Sequence, residues 1–217
     1  MPAPRLYDYA ASCNAYKVRL LIAQLELDVE RVEVDIFAGE TLTDDFRSLN
    51  PARTVPVLEL ADRRTLPESG AILWHLADAS PLLPADSWTR TQVLRWLLFE
   101  QADLLPATGG LRFRLQTGRW QAGSAPAQAR HAAGVEVLRL LDDHLRGRAF
   151  VVGDSYTIAD IALYGYTHVA HEAGLPMDDF PHVDAWLARV VGQPRYMNDV
   201  VPYPPNARVG TGRSIYG

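Results

Sequence analysis

The chain has 217 residues, of which 48% are hydrophobic and 22% charged, and its formal net charge is −5. This is the composition of a globular protein with a sizeable core, and nothing in it favours nucleic acid or an anionic membrane as a partner. No apolar run approaches the roughly 18 residues of a membrane span, and we expect no signal peptide. The single cysteine, Cys13, excludes an internal disulfide framework. We therefore expect a cytoplasmic protein, and no metal-ligand cluster is visible.

The first 79 residues alternate between strand and helix patterns. Alternating or β-branched apolar residues predict strands, and apolar residues at a spacing of three to four predict helices. The predicted order is β-α-β-α-β-β-α, with strands at 5–9, 29–35, 56–60 and around 66, and helices at 16–25, 41–49 and 69–79. Such an order within 80 residues predicts a compact α/β unit.

The composition changes after residue 79. A stretch with two prolines and two serines predicts a linker over 80–88. Helical patterns follow at 89–105, 127–145, 158–173 and 183–191. Pro106 is predicted to end the first of these helices. We expect an N-terminal domain over 1–79, an all-helical domain over 89–200, and an irregular tail over 201–217 that either covers a cleft or is loose.

Two short motifs could present backbone polar groups to a small peptide-like ligand. Pro56 stands at the head of a predicted strand, and a cis Val55–Pro56 bond would turn the Val55 backbone outward. Glu68-Ser69 opens a predicted helix, whose N-terminus favours a carboxylate. The plain alternative for Glu68-Ser69 is a helix cap. The two motifs together favour a binding site.

Four segments in this order resemble the cytosolic glutathione S-transferase superfamily, in particular bacterial members with a serine and asparagine at the active-site corner. They are Asn50-Pro-x-x-x-Val55-Pro56-x-Leu58, Glu68-Ser69-x-Ala71-Ile72, the capping box Thr157-Ile158-Ala159-Asp160, and Pro181-x-Val183-x-Ala185-Trp186. The resemblance implies a thioredoxin-like α/β N-terminal domain followed by an all-α C-terminal domain. It also implies a detoxifying homodimeric transferase that uses glutathione as co-substrate, without metal.

The resemblance implies a glutathione-binding role for residues of the first domain. The Val55 backbone, placed by Pro56, would pair with the cysteinyl part of glutathione. Ser69 would bind the γ-glutamyl carboxylate, and Glu68 the α-ammonium. Arg53 or Thr54 would reach the glycyl carboxylate. Many relatives have a lysine where this chain has Glu40, and an acidic side chain there does not suit a carboxylate.

The residue that activates the glutathione thiol stays open among three neighbours. Ser12 is the first candidate because it resembles the activating serine of serine-type relatives. Asn14 could be a second or the principal donor, and Cys13 could form a mixed disulfide. Tyr7 and Tyr9, on the first strand, are interpreted as packing residues.

By resemblance, the second substrate would be a small-molecule electrophile or a disulfide. By resemblance, Arg112 and Phe113 would line its site, and Asp103 would reach the glutathione of a partner subunit. Disulfide or peroxide reduction on the same site is the alternative reaction. A non-catalytic binding protein on the same scaffold is the alternative from another class, because a fold does not determine a function.

Overall fold

In the computed structural model, residues 2–216 are described, and they divide into two compact units. The first unit runs up to Leu76 and includes the chain again from Met197, and the second unit is Ala77–Tyr196. The tail therefore belongs to the same unit as the first 76 residues. The predicted boundary at residue 79 lies three residues further along the chain than this division.

The first unit contains a four-stranded sheet with the order β2-β1-β3-β4. Strand β1 pairs in parallel with β2, whereas the β1–β3 and β3–β4 pairs are antiparallel. The elements are β1 Arg5–Asp8, α1 Cys13–Leu25, β2 Glu30–Glu33, α2 Asp44–Leu49, β3 Val57–Glu59, β4 Thr65–Pro67 and α3 Ser69–Leu76. The predicted element order is confirmed, with most elements shorter than the sequence pattern suggests.

The core of this unit is a cluster of aliphatic side chains from the sheet and its helices. Leu6, Val18, Leu58 and Ile72 are each at most 1% exposed and pack together. They come from β1, α1, β3 and α3. Burying two facing sheet residues against two helices fixes where the N-termini of α1 and α3 lie, because the helices cannot rotate without exposing this cluster.

The segment predicted as one helix over 41–49 is two elements. A 3₁₀ turn, Glu40–Leu42, precedes α2, and Thr43 separates them with extended backbone. The Thr43 hydroxyl accepts from the Phe46 N–H at 3.2 Å, which makes it the N-cap of α2. A helix cannot continue backward through its own N-cap, so the prediction of a single helix is wrong.

The tail packs on the first unit at several points. The Tyr16 hydroxyl donates to the Met197 carbonyl at 2.8 Å. Arg19 Nε donates to both Asp199 oxygens, at 2.8 and 2.9 Å. Further on, the Arg213 N–H donates to the Phe37 carbonyl at 2.8 Å. The segment from Met197 onward, called the tail below, is therefore held by specific bonds. Within the predicted irregular range 201–217, the Arg213 bond contradicts a loose segment, and a 3₁₀ turn forms at Pro205–Ala207.

The named elements of the second unit are all helices in the described residues, and an isolated bridge joins Phe150 and Gly153. Its helices are α4 Ser87–Phe99, α5 Leu105–Ala107, α6 Gly109–Gln116, α7 Ala125–Leu145, α8 Ile158–Thr167 and α9 Pro181–Val191. Trp96, Leu138, Ile161 and Trp186 are each at most 1% exposed and belong to four of these helices. A large apolar core between helices explains the strong helical periodicity of this half of the sequence.

Pro106 does not end the first long helix, contrary to the prediction. A π-helical turn, Glu100–Leu104, follows α4, and the Leu105 N–H donates to the Glu100 carbonyl, five residues earlier. Helix α5 then begins at Leu105, so that Pro106 lies in its first turn. The π turn interrupts the regular four-residue ladder of hydrogen bonds, and Pro106, which has no N–H to donate, lies directly after this interruption.

Candidate active site

The segment before β3 is shaped by Asn50. The Asn50 side-chain amide donates to the Thr54 carbonyl at 2.9 Å and to its hydroxyl at 3.0 Å, and its oxygen accepts from the Ala52 N–H at 3.0 Å. Arg53 adopts a left-handed conformation with φ 58°. These bonds close a tight loop that leads directly into Val55, so Asn50 positions the Val55 backbone.

The Val55–Pro56 peptide bond is cis, which is the condition under which the sequence motif presents the Val55 backbone. Within residues 2–216, neither the Val55 N–H nor its carbonyl takes part in a hydrogen bond. Backbone donors and acceptors are seldom left without partners in folded proteins. The Val55 backbone is therefore available to pair with an extended peptide-like ligand.

Helix α3 begins beside this segment with a buried serine. Glu68, directly before the helix, has φ 73°, a conformation that a non-glycine residue adopts rarely and that is associated with functional sites. Ser69 is 3% exposed, and its hydroxyl donates to Asn14 Oδ1 at 3.3 Å. Ser69 thus connects the start of α3 to the start of α1.

Three of the predicted site residues, Ser12, Cys13 and Asn14, lie at the start of α1. Ser12 is the N-cap, and its hydroxyl oxygen accepts from the Ala15 N–H at 3.2 Å. A hydroxyl that accepts a bond still has its own proton to donate. Asn14 is half-buried, and Oδ1 of its amide accepts from Lys17 Nζ at 2.8 Å as well as from Ser69. Asn14 is therefore held from two sides, while the Ser12 proton and the Asn14 amide group remain as donors.

Comparisons with known proteins identify the family. Residues 11–79 match the family model for the glutathione S-transferase N-terminal domain, and residues 112–194 match that for its C-terminal domain. Glutathione S-transferase GST-4.5 of Xanthomonas campestris pv. campestris is 34% identical over 195 residues, which covers 86% of this chain and 92% of that protein. A crystal structure of a glutathione S-transferase from Pseudomonas fluorescens has a TM-score of 0.88 at 39% identity, and the match covers 92% of this chain and 100% of that chain.

The chain belongs to the glutathione S-transferase family. The resemblance to the glutathione S-transferase superfamily is confirmed, and so is the predicted fold of a thioredoxin-like domain followed by a helical domain. The bacterial type with a serine and an asparagine at the active-site corner stays a prediction. A glutathione transferase family member from Pseudomonas fluorescens, solved with two glutathione molecules bound, has a TM-score of 0.79 at 29% identity, and the match covers 89% of this chain and 90% of that chain.

Other candidates in the N-terminal unit of this transferase are engaged in structure. The Tyr7 hydroxyl donates to Glu59 at 2.9 Å, and the Tyr9 ring packs edge-on against Phe37 with centroids 5.9 Å apart. Burial of the Tyr9 phenol raises its pKa, which opposes a role as an activating phenolate. Both tyrosines fit the interpretation as packing residues.

Cys13 is buried at the first position of α1, with 2% of its surface exposed. Mixed-disulfide formation requires access of a disulfide to the sulfur. Burial favours its alternative role as a small apolar residue at a helix start. The assignment of Cys13 as a disulfide former stays a prediction.

The glycyl end of the glutathione site has one basic candidate close to the clamp. Within residues 2–216, the Arg53 guanidinium takes part in no hydrogen bond or ion pair. Thr54, by contrast, is bonded by Asn50 through its hydroxyl and carbonyl. Glu40 Oε2 accepts from the Asp35 N–H at 2.7 Å, so its carboxylate closes its own loop.

The second-substrate candidates lie in the helical unit, on α6. Arg112 is 2% exposed, and its Nε donates to Glu172 Oε2 at 2.6 Å. Gln116 donates to the same oxygen at 2.6 Å. Phe113 is half-buried, with the Arg119 guanidinium 4.9 Å from its ring centroid. Arg112 and Phe113 as substrate contacts stay a prediction, and the burial of Arg112 leaves Phe113 as the more accessible of the two.

In the described part of the chain, no group of three or more His, Cys, Asp or Glu side chains is arranged to hold a metal ion. No helix between residues 2 and 216 combines the length and apolar character needed to cross a membrane. Lys17 and Asn50 are the residues of the site region to which the sequence motifs assigned no role. Asn50 had a signal in its place at the start of the Asn-Pro segment, because asparagine commonly bonds to backbone two residues further on.

Proposed function

We propose that this transferase binds glutathione along Val55 and Ser69, holds the thiol as a thiolate at the start of α1, and adds it to a small hydrophobic electrophile. The observation that carries this proposal is the hydrogen bond of 3.3 Å between the Ser69 hydroxyl and Asn14 Oδ1. It joins the proposed γ-glutamyl site to the proposed activating corner within one unit. The unpartnered Val55 backbone supplies the peptide clamp beside them.

The binding roles follow from the chemistry of each group. The Val55 N–H and carbonyl pair with the cysteinyl part of glutathione, as one strand pairs with another. The γ-glutamyl carboxylate binds at the N-terminus of α3, where the Ser69 hydroxyl and the helix dipole both favour an anion. Glu68, exposed beside it, binds the α-ammonium. Arg53 is our candidate for the glycyl carboxylate.

Activation requires only a modest free energy. A free thiol has a pKa near 8.5, so bringing it to 7 requires about 2 kcal/mol at 1.36 kcal/mol per unit. A hydrogen bond to a charged group contributes roughly 1.5–3 kcal/mol, and a helix N-terminus up to about 1 kcal/mol more. The Ser12 hydroxyl, as first donor, and the Asn14 amide, as second, are together sufficient. No metal is needed for this step.

Reduction of a disulfide or peroxide is the second candidate, since the same thiolate could attack sulfur or oxygen. The relative solved with two glutathione molecules bound supports it, because a site that holds two glutathiones can accommodate a disulfide product. A cytoplasmic homodimer, with Arg112 and Phe113 near the second substrate, completes the proposal. A purely glutathione-binding protein would lack turnover with every acceptor.

The test begins with glutathione titrations that follow thiolate absorbance as a function of pH. We expect binding at or below millimolar concentration with a bound-thiol pKa below 7.5. Ser12→Ala should lower the rate with an aryl halide about 10- to 100-fold, and Asn14→Ala should lower it at least several-fold, because each removes a donor to the anion. Cys13→Ala should keep the rate.

Ser48→Ala is the matched control, since Ser48 is an exposed serine of α2 in the same unit. Comparing an aryl halide, a hydroperoxide and a small disulfide of a thiol other than glutathione as second substrates separates transfer from reduction. Failure to bind millimolar glutathione would contradict the proposal as a whole. An unchanged rate in Ser12→Ala together with a lost rate in Cys13→Ala would reassign the activating residue.

A further inference from the structure

Lys17 is the single lysine of a chain that has 21 lysines and arginines in total. Its side chain is fully buried, with 0% of its surface exposed, in the second turn of α1. Lysine is almost never fully buried unless it is paired. Its ammonium donates to Asn14 Oδ1 at 2.8 Å. The proposed transfer reaction assigns this buried cation no role, although it touches one of the two proposed thiol donors.

The contact determines which way the Asn14 amide faces. An ammonium can only donate, so the atom of Asn14 that faces Lys17 is the oxygen. The two hydrogens of the Asn14 nitrogen therefore lie on the opposite edge of the amide, where they can be donated elsewhere. With a neutral side chain in place of Lys17, the 3.3 Å hydrogen bond from the Ser69 hydroxyl would have to hold the Asn14 amide in this orientation by itself.

Glutathione binding makes the contribution of Lys17 larger. The Ser69 hydroxyl has one proton, which it donates to Asn14 in the structure described here. When a γ-glutamyl carboxylate occupies the start of α3, the same proton is needed for the carboxylate. The Asn14 oxygen then keeps Lys17 as its charged donor, so the amide stays oriented in the state in which the thiol reacts.

The shape of the ammonium group explains why lysine suits this position better than arginine would. An ammonium is a compact group with three donors, whereas a guanidinium is a planar fork that needs more space. The position is closed to solvent, because the Lys17 side chain itself is 0% exposed. A buried site of this kind suits the ammonium.

We propose that Lys17 is a positioning residue, which fixes the Asn14 amide with its nitrogen toward the glutathione sulfur and thereby favours the thiolate. This inference rests on the proposed function, since it assigns the support of a donor used in that reaction. It predicts that removing the ammonium weakens thiolate stabilisation while glutathione still binds through Val55 and Ser69.

The direct test compares the bound-thiol titration of the full-length protein with that of Lys17→Met, which keeps the length and removes the charge. We expect the bound-thiol pKa to rise by about one unit, so that the thiolate fraction at neutral pH and kcat with an aryl halide fall up to about tenfold. The dissociation constant for glutathione at low pH should change less than threefold. Arg47→Met, which removes an exposed cation of α2, is the matched control and should shift the thiol pKa by less than about 0.2.

A folded Lys17→Met protein with an unchanged bound-thiol pKa would overturn the proposal. If that variant does not fold, the unmodified protein gives the answer, because ¹³C-lysine labelling produces a signal from one residue. The Lys17 side-chain signal should move with pH at the midpoint of the bound-thiol titration, and a signal independent of that titration would overturn the proposal. If the unmodified protein does not bind glutathione, the proposed function fails first, so the two failures are distinguishable.

Discussion

Both units of this transferase bury polar side chains, but they use them differently. In the helical unit, Asp160 is fully buried and its carboxylate accepts from the N–H groups of Val151 and Thr157 and from the Trp186 indole, each at 2.9 Å. In the N-terminal unit, buried Lys17 holds Asn14, which keeps donors of its own. A buried polar group whose partners are themselves buried stabilises the fold, whereas one that orients a half-exposed side chain can support a site.

The largest effect should come from Asp160→Ala. The change would leave three buried N–H groups without an acceptor, and we expect a loss of about 3–5 kcal/mol in the free energy of unfolding. Urea denaturation at fixed protein concentration measures it. The dissociation constant for glutathione of the folded protein should stay unchanged. Asp184→Ala, at an exposed position of α9, is the control and should cost less than about 1 kcal/mol. A weakened glutathione affinity in Asp160→Ala would contradict the assignment of a purely structural role to Asp160.

A smaller effect concerns acid sensitivity, which we assign to the helical unit. Burial lowers the pKa of His168 to about 4, and its ring stacks on Tyr164 with centroids 4.7 Å apart. Because the unfolded chain binds a proton near pH 6.5 and the folded one does not, stability is lost as pH falls from 6.5 towards 4. Between pH 7 and pH 5 the loss should be about 2 kcal/mol.

His168→Phe should remove this loss, since phenylalanine can stack on Tyr164 and does not titrate. The measurement is the difference in free energy of unfolding between pH 7 and pH 5, compared between the variant and the unmodified protein. Asp160, whose pKa burial raises to about 6, acts in the opposite sense, but it is present in both proteins and cancels. His171→Gln, at an exposed histidine, should leave the difference as it is. An equal loss in His168→Phe would place the acid sensitivity elsewhere.

The smallest effect should come from Asp199→Asn, in the tail. Asp199 is 30% exposed, and Arg19 would keep its bond of 2.6 Å to Asp8, so we expect a loss of about 1 kcal/mol. Hydrogen exchange should increase over the tail and not in α8. The matched control is Asp62→Asn, which breaks the exposed 2.7 Å ion pair with Arg64 and should cost less stability than Asp199→Asn, because solvent screens the pair. Unchanged exchange in the tail would contradict its assignment to the first unit.

The sequence predicted what depends on local pattern. The order of strands and helices follows from residue types and spacing within about ten residues. The cis bond before Pro56 agrees with the resemblance of the segment from Asn50 to Leu58. The contact between Ser69 and Asn14 joins residues 55 positions apart, and no local pattern contains it. The helical continuation through Pro106 was missed because a π turn leaves no composition signal.

The contribution of the tail was also beyond local reasoning. Arg19 reads as an ordinary polar position in a helix, yet it is 5% exposed because its partners come from Asp8 and Asp199. Lys17 also lies between apolar neighbours in the sequence. Its ammonium bonds to the side-chain amide of Asn14, three residues earlier. Buried ionic groups are specified by tertiary partners, and for that reason sequence patterns locate the site but not its support.

The pairing of Arg19 with Asp199 has a consequence for synthesis. The two residues are 180 positions apart, so a ribosome working at roughly 5–20 residues per second completes the partner about 10–40 s after the first helix has been made. During that interval the nascent N-terminal unit carries an arginine whose tail partner does not yet exist. The N-terminal unit therefore reaches its final charge balance only after Asp199 has been made.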